Sequence, residues 1–248
     1  MTEFSKNTVL DKEISQFQKD SAHWWDEGGA FAPLHKLNPT RIKFIRDSIF
    51  KHYSKNGTPL STLDGLDICD IGCGGGLVCE PLARLGANVT GIDADGQAID
   101  VAKQHAQIMD LDINYKNTTS DELAKTDKKY DVVCALEIVE HVKDPAYFVA
   151  SCLECLKPDG IIILSTLNRT PHSFLLGIIA AEHILKWVPK GTHNWKQFIK
   201  PSELRRMLNH HNFDIKEVMG LNYSLKNKTF HLDEDDIRNN YILSAAKA

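Results

Sequence analysis

The chain has no uninterrupted apolar run of the roughly 20 residues that a membrane-spanning helix needs. Its first stretch, MTEFSKNTVLDKEISQF, lacks the apolar centre of a secretory signal. It also lacks the Arg-rich, acid-poor character of an organelle transit peptide, so a cytoplasmic protein is expected. There is no basic excess: the net charge of −4 argues against a nucleic-acid binder. Internal repeats and low-complexity tracts are missing. Cys152-Leu-Glu-Cys155 has no second pair at zinc spacing, so the six cysteines read as free buried thiols in a reducing compartment. The acid run DEDD at 233–236 lacks the spacing of a calcium loop and reads as a solvated connection.

What is present suits one α/β domain. The 248 residues are 42% hydrophobic and 25% charged, enough for a substantial core. Helices are expected over 11–25 and 38–53, the second opened by Asn38 as cap with Pro39 in its first turn. A turn-rich joint covers 55–64. Strands are then expected at 66–72, 88–93, 112–117, 130–137 and 161–166, separated by helices. The helix from Asp144 is expected to stop at Pro158 and Gly160. A helix from Pro201 and strands at 213–220 and 241–248 complete the pattern. Strands and helices alternating at this spacing argue for βαβ units and a parallel sheet.

The stretch DICDIGCGGG places Asp70, Gly72, Gly74 and Gly76 at a strand end leading into a helix. Glycines let a backbone pass close beneath a ligand. The dinucleotide fingerprint G-x-G-x-x-G fails at its third position, where Leu77 stands. S-adenosylmethionine fits better. It has no pyrophosphate to place on a helix N-terminus, and its ammonium group can meet Asp70 directly or through water. Asp93 closes the second strand, where a carboxylate can accept both ribose hydroxyls.

CALEIVEHVKDP follows the fourth strand, at the edge of a doubly wound sheet where ligands bind. Glu137, Glu140 and His141 stand at i, i+3 and i+4 and would share one face if the segment turned helical. Such a cluster can supply a general base for a phenol, whose pKa is near 10 by analogy with Tyr. It can equally hold a divalent cation, although imidazole suits softer metals than Mg2+.

The stretches WWDEGGAFAPLHKLNPTRIKFI, DIGCGGGLVCEPLARLGANVTGID, EIVEHVKDP, STLNRT and VPKGTHNWKQFIKPSEL occur in this order. In this the chain resembles the ubiquinone-biosynthesis O-methyltransferases from about Phe17 to its end. The glycine loop is shared by many methyltransferases; PLHKLNPTR and VPKGTHNW are far more specific. The resemblance implies a Rossmann-like class I methyltransferase fold, with seven strands, the last antiparallel, and helices on both faces. It implies S-adenosylmethionine as methyl donor, with contacts at Arg41, Gly72, Asp93 and Leu136; the loop itself adds Asp70 and Gly74. It implies polyprenyl catechols and 3-demethylubiquinol as acceptors, and other ubiquinone-synthesis enzymes as partners. Membrane-bound relatives suggest a cation, such as Mg2+, at Glu137, Glu140 and His141. The chain departs from the family at Asn194, where Asp is common, and at MDLD, where a Gly is common.

A single domain is expected over 1–248: a helical cap at 1–60, a core at 61–170 and 198–248, and an insertion at 171–197. Within that insertion, residues 174–181 carry no charged or strongly polar side chain. The 15 residues from Phe174 to Val188 include Glu182, His183 and Lys186, too short and too polar for a span. Two readings remain: a core helix, or an interfacial lid flanked by Lys186, Trp187 and Lys190. The second expects peripheral contact with the inner face of the membrane through 172–195. Competing functions are methylation of another lipid or small phenol, and a membrane-docked scaffold with a vestigial donor site.

Overall fold

Side chains alternate across a strand, and here both faces of the central strands are apolar, so both must be covered. The computed structural model describes residues 21–53, 63–174 and 195–248. A helix, α1 (Ala32–Tyr53), precedes the alternating part. Then follow β1 (Asp67–Ile71), α2 (Cys79–Arg84), β2 (Asn88–Asp93), α3 (Gly96–Ile108), β3 (Asn114–Asn117), α4 (Ser120–Ala124) and β4 (Tyr130–Leu136). Next come α5 (Pro145–Glu154), β5 (Leu156–Leu167), the short α6 (Pro171–Ser173) and α7 (Pro201–Asn209). β6 (Phe213–Ser224), β7 (Thr229–Asp233) and β8 (Asn240–Lys247) complete the order.

The sheet has eight strands in the order β3-β2-β1-β4-β5-β8-β6-β7. β1 to β5 are parallel, and β8 enters antiparallel between β5 and β6. The seven strands expected are therefore joined by an eighth, β7, paired with β6 as a hairpin. Its sequence mark is slight: only Phe230 and Leu232 alternate with the polar Thr229, His231 and Asp233, and the strand is only partly buried. Asp233 of the acid run thus ends a strand instead of lying in a connection.

Alternate strand residues divide between two apolar layers. Ile68, Val132, Cys134, Ile161 and Ile163 pack with Phe44, Ile45 and Ile49 of α1, Leu82 of α2 and Ile99 of α3. Cys69, Val133, Ala135, Ile162 and Leu164 pack with Phe148 and Val149 of α5 and Leu204 and Leu208 of α7. The six cysteines are free and buried, as expected. Cys73, Cys79 and Cys134 lie in the first layer and Cys69, Cys152 and Cys155 in the second.

Three boundaries differ from expectation. α1 begins at Ala32, and Pro39 lies inside it. Asn38 is no cap: its side-chain amide donates to the Leu77 carbonyl (2.6 Å). The buried face of α1, from Leu37 through Ile49, keeps the helix continuous through a residue that would break an isolated one. α5 ends at Glu154, and Pro158 and Gly160 fall inside β5. Pro158 is tolerated near the start of that strand, ahead of the residues that carry its main pairing with β4. Finally, Ser21–His23 is a single 3-10 turn, so the part of the expected 11–25 helix that is described is not α-helical. The remainder of that helix, most of the 55–64 joint, and 175–194 of the insertion lie outside the described residues.

The departure at MDLD has a structural counterpart. Asp110 adopts φ +52°, the left-handed conformation that glycine takes without steric cost. Asp110→Gly should raise stability by a few tenths to about 1 kcal/mol in urea denaturation. A loss would show that the Asp110 side chain contributes more than its backbone strain costs.

Candidate active site

Reversal of strand order between β1 and β4 opens a crevice at the carboxyl ends of these strands. β1 delivers Asp70 and the glycine loop, β2 delivers Asp93, and β4 delivers Leu136 and Glu137. Arg41 reaches the same edge from α1.

The loop turns sharply. Gly72, Gly74 and Gly76 have φ of +77°, +51° and +91°. The amides of Gly72 and Cys73 both donate to the Ile92 carbonyl, at 2.8 and 3.0 Å, which ties the loop to β2. The Gly74 amide donates to Asp93 Oδ2 (2.9 Å), and the Asp95 amide to Oδ1 (2.8 Å). Asp93 is thus oriented before any ligand arrives. Burial raises its carboxyl above the usual range, although these amides pull the other way.

Asp70 is buried, with 3% of its surface exposed. Burial pushes its carboxyl up to about 7, opposed by the Cys79 thiol and Arg41 and reinforced by Asp93. Cys79 Sγ donates to its Oδ2 at 3.4 Å. Arg41 is 4% exposed. Its Nη2 comes within 3.4 Å of Glu137 Oε1, yet Nε and Nη2 make no hydrogen bond. A buried guanidinium with unused donors is costly and suits an incoming carboxylate. The residues therefore fit S-adenosylmethionine: Arg41 for its carboxylate, Asp70 for its ammonium and Asp93 for its ribose. Leu136, buried at the end of β4, offers apolar surface for a base.

Glu137 takes a positive φ of +54°, a strained conformation of the kind concentrated at functional sites. Ser165 Oγ (2.7 Å) and Asn240 Nδ2 (3.2 Å) both donate to its Oε1. The turn at Glu137 breaks the expected helical face, and Val139–His141 is a single 3-10 turn. Glu140 is buried at 3% exposure. Burial pushes its carboxyl up to about 7, with His141 opposing and Glu137 reinforcing. The three side chains are electrostatic neighbours but do not converge. Among the described residues, no three His, Cys, Asp or Glu side chains are grouped to hold a metal ion. The placement of Glu137, Glu140 and His141 therefore does not fit the cation suggested for them.

Sequence reasoning missed Ser165 and Asn240, the groups that fix Glu137, because nothing local marks them. Trp24 carries no local signal of a role in the sequence. Its indole lies against the loop: a Cβ on Gly74 would fall 2.5 Å from Trp24 Cζ2, and one on Gly75 2.4 Å from its Cγ.

The fold and crevice define a class I methyltransferase. A family model described as "Methyltransferase domain" matches residues 40–218, well over half of the chain. A magnesium protoporphyrin IX methyltransferase from Synechocystis PCC 6803, solved with bound S-adenosylhomocysteine, has the same fold. It superposes with a TM-score of 0.65 at 19% identity, covering 96% of this chain and 95% of that one. Among curated proteins, the ubiquinone biosynthesis O-methyltransferase of Bartonella quintana is 42% identical over 98% of each chain. That of Cereibacter sphaeroides is 40% identical over 97% of this chain and 98% of its own. The chain belongs to the ubiquinone biosynthesis O-methyltransferase family.

The buried carboxyls predict a pH dependence. A carboxyl whose folded pKa is raised binds a proton in the native state that the unfolded state has released. Between about pH 4 and 7 this makes stability fall as pH rises, by up to about 1.4 kcal/mol per unit for each such group. In the protein without methyl donor, Asp70→Asn should flatten that decline in urea titrations from pH 4.5 to 7.5. An unchanged slope would mean that Asp70 is ionised throughout.

Proposed function

We propose that the chain is an S-adenosylmethionine-dependent O-methyltransferase of ubiquinone biosynthesis, acting on one hydroxyl of a polyprenyl catechol or of 3-demethylubiquinol. The observation that carries this reading is an acid-lined crevice with unused Arg41 donors, in a chain 42% identical to a relative bearing that name. S-adenosylmethionine supplies an electrophilic methyl group on a sulfonium. Arg41, Asp70, Gly72, Gly74, Asp93 and Leu136 bind and orient it, and fixing the donor converts much of the entropic barrier into binding.

A phenol must lose its proton to become a good nucleophile. We assign that proton to His141, half-buried beside Glu140 at the carboxyl end of β4. Glu140, held near neutrality by burial, keeps a second proton-exchanging group next to the ring. Glu137, pinned by Ser165 and Asn240, balances Arg41.

The acceptor's isoprenoid tail favours a site near the bilayer. Among the described residues no helix is long and apolar enough to cross a membrane. The apolar sequence at 174–181 supports peripheral contact with the bilayer surface instead. The rings of Phe174 and Trp195, which bracket the stretch, meet edge to face at 6.1 Å, and Phe174 is 45% exposed.

Purified protein should methylate a short-tail demethylubiquinol when S-adenosylmethionine is supplied, with product followed by mass spectrometry. His141→Ala should lower the rate roughly 100-fold or more while donor affinity stays within about twofold. Equal loss of both would remove His141 from the chemistry. Because the bracketing rings are close, residues 176–193 can be replaced by a short Gly-Ser link. That variant should lose co-sedimentation with anionic liposomes, and retained binding in a folded protein would defeat the membrane reading.

A further inference from the structure

The chain ahead of α1 runs as a strap anchored to the glycine loop, to the turn after β2 and to α3. Ser21 Oγ donates to Asp95 Oδ2 (2.6 Å), two residues beyond Asp93. Trp25 Nε1 donates to the Gly75 carbonyl (3.0 Å), and its ring stacks on His105 of α3 at 3.5 Å. Between these anchors lies Trp24. One face of its indole stacks on Phe31 at 3.8 Å with the planes 9° apart. The ring is packed so tightly against Gly74 and Gly75 that neither position has room for a side chain. The ring atoms nearest a Cβ on Gly74 are Cη2 and Cζ2, both at 2.5 Å, and Cε2, the carbon bonded to the indole nitrogen, follows at 3.1 Å. That N–H is buried and makes no hydrogen bond. The Gly74 amide beneath it holds Asp93 Oδ2.

A buried indole N–H normally finds a partner, and leaving it unpaired costs free energy. Its neighbours Phe31, Gly74 and Gly75 offer it no side-chain acceptor. We propose that Trp24 is a binding residue for the methyl donor, its indole N–H donating to an oxygen of the bound molecule while its ring roofs the glycine loop. The proposal rests on the reading of the crevice as an S-adenosylmethionine site. It separates two roles within the WWD stretch: Trp25 anchors the loop through a backbone carbonyl, and Trp24 addresses the ligand.

The chain has four tryptophans, so a spectrum of 15N-labelled protein shows few indole N–H signals. The Trp24 signal is assigned by elimination, using Trp25→Phe, Trp187→Phe and Trp195→Phe. Titration with S-adenosylhomocysteine should move the Trp24 indole proton downfield. Trp24→Phe keeps a ring against Phe31 and the loop but removes the N–H. By calorimetry it should weaken S-adenosylhomocysteine binding roughly tenfold, the effect of one hydrogen bond, with an unchanged melting temperature. Binding by the wild type with an unmoved Trp24 signal, or with the Phe variant within twofold, would overturn the role of Trp24 and leave the donor site standing. No binding by the wild type would overturn the donor site, and this proposal with it.

Discussion

A parallel sheet whose strand order reverses must leave a gap where neighbouring connections depart to opposite faces. In this chain the gap lies between β1 and β4, and the rest of the arrangement answers to it. The glycine loop exists because β1 must turn away from the crevice at once. The positive φ at Glu137 exists because β4 must turn away on the other side. α1 completes the enclosure by sending Arg41 across from a neighbouring layer. Arg41, Asp70 and Glu140 are buried around the crevice, and charges interact more strongly away from bulk water.

That enclosure carries an electrostatic cost. Asp70, Arg41 and Glu140 are almost fully buried, and two carboxyls are lifted to about 7. The arrangement is tolerable because opposite charges face each other: Arg41 against Glu137, and Asp70 within its reach. In the proposed reading, a zwitterionic, cationic donor brings its carboxylate to Arg41 and its ammonium to Asp70.

Much of this was legible in the chain. The glycine loop, Asp70 and Asp93 follow from backbone conformation and charge, because glycine spacing and a strand-ending acid are local signals. Arg41 was reached only by resemblance; on the helix pattern alone it is one more basic residue, and its burial depends on how α1 crosses the sheet. Ser165 and Asn240 are invisible for the same reason, since they meet Glu137 only once β4, β5 and β8 are side by side. The Glu137–Glu140–His141 face failed because helical spacing was assumed where one left-handed residue ends it. Strand β7 escaped although Phe230 and Leu232 alternate with Thr229, His231 and Asp233, because two apolar residues on a half-exposed edge strand are a weak mark beside the apolar runs of its neighbours. The continuation of α1 through Pro39 likewise reflects packing that overrides local propensity.

The six cysteines acquire a meaning beyond their packing. Burial raises the thiols of Cys69, Cys73, Cys134 and Cys152 well above the ordinary range and those of Cys79 and Cys155 to about 11. Almost no thiolate is present near neutrality, and all six cysteines are buried. An alkylating reagent can therefore reach them only through transient opening of the layer that covers them. With three thiols under each helical layer, the two faces of the sheet carry separate built-in clocks. The order in which they are labelled reports which face breathes first.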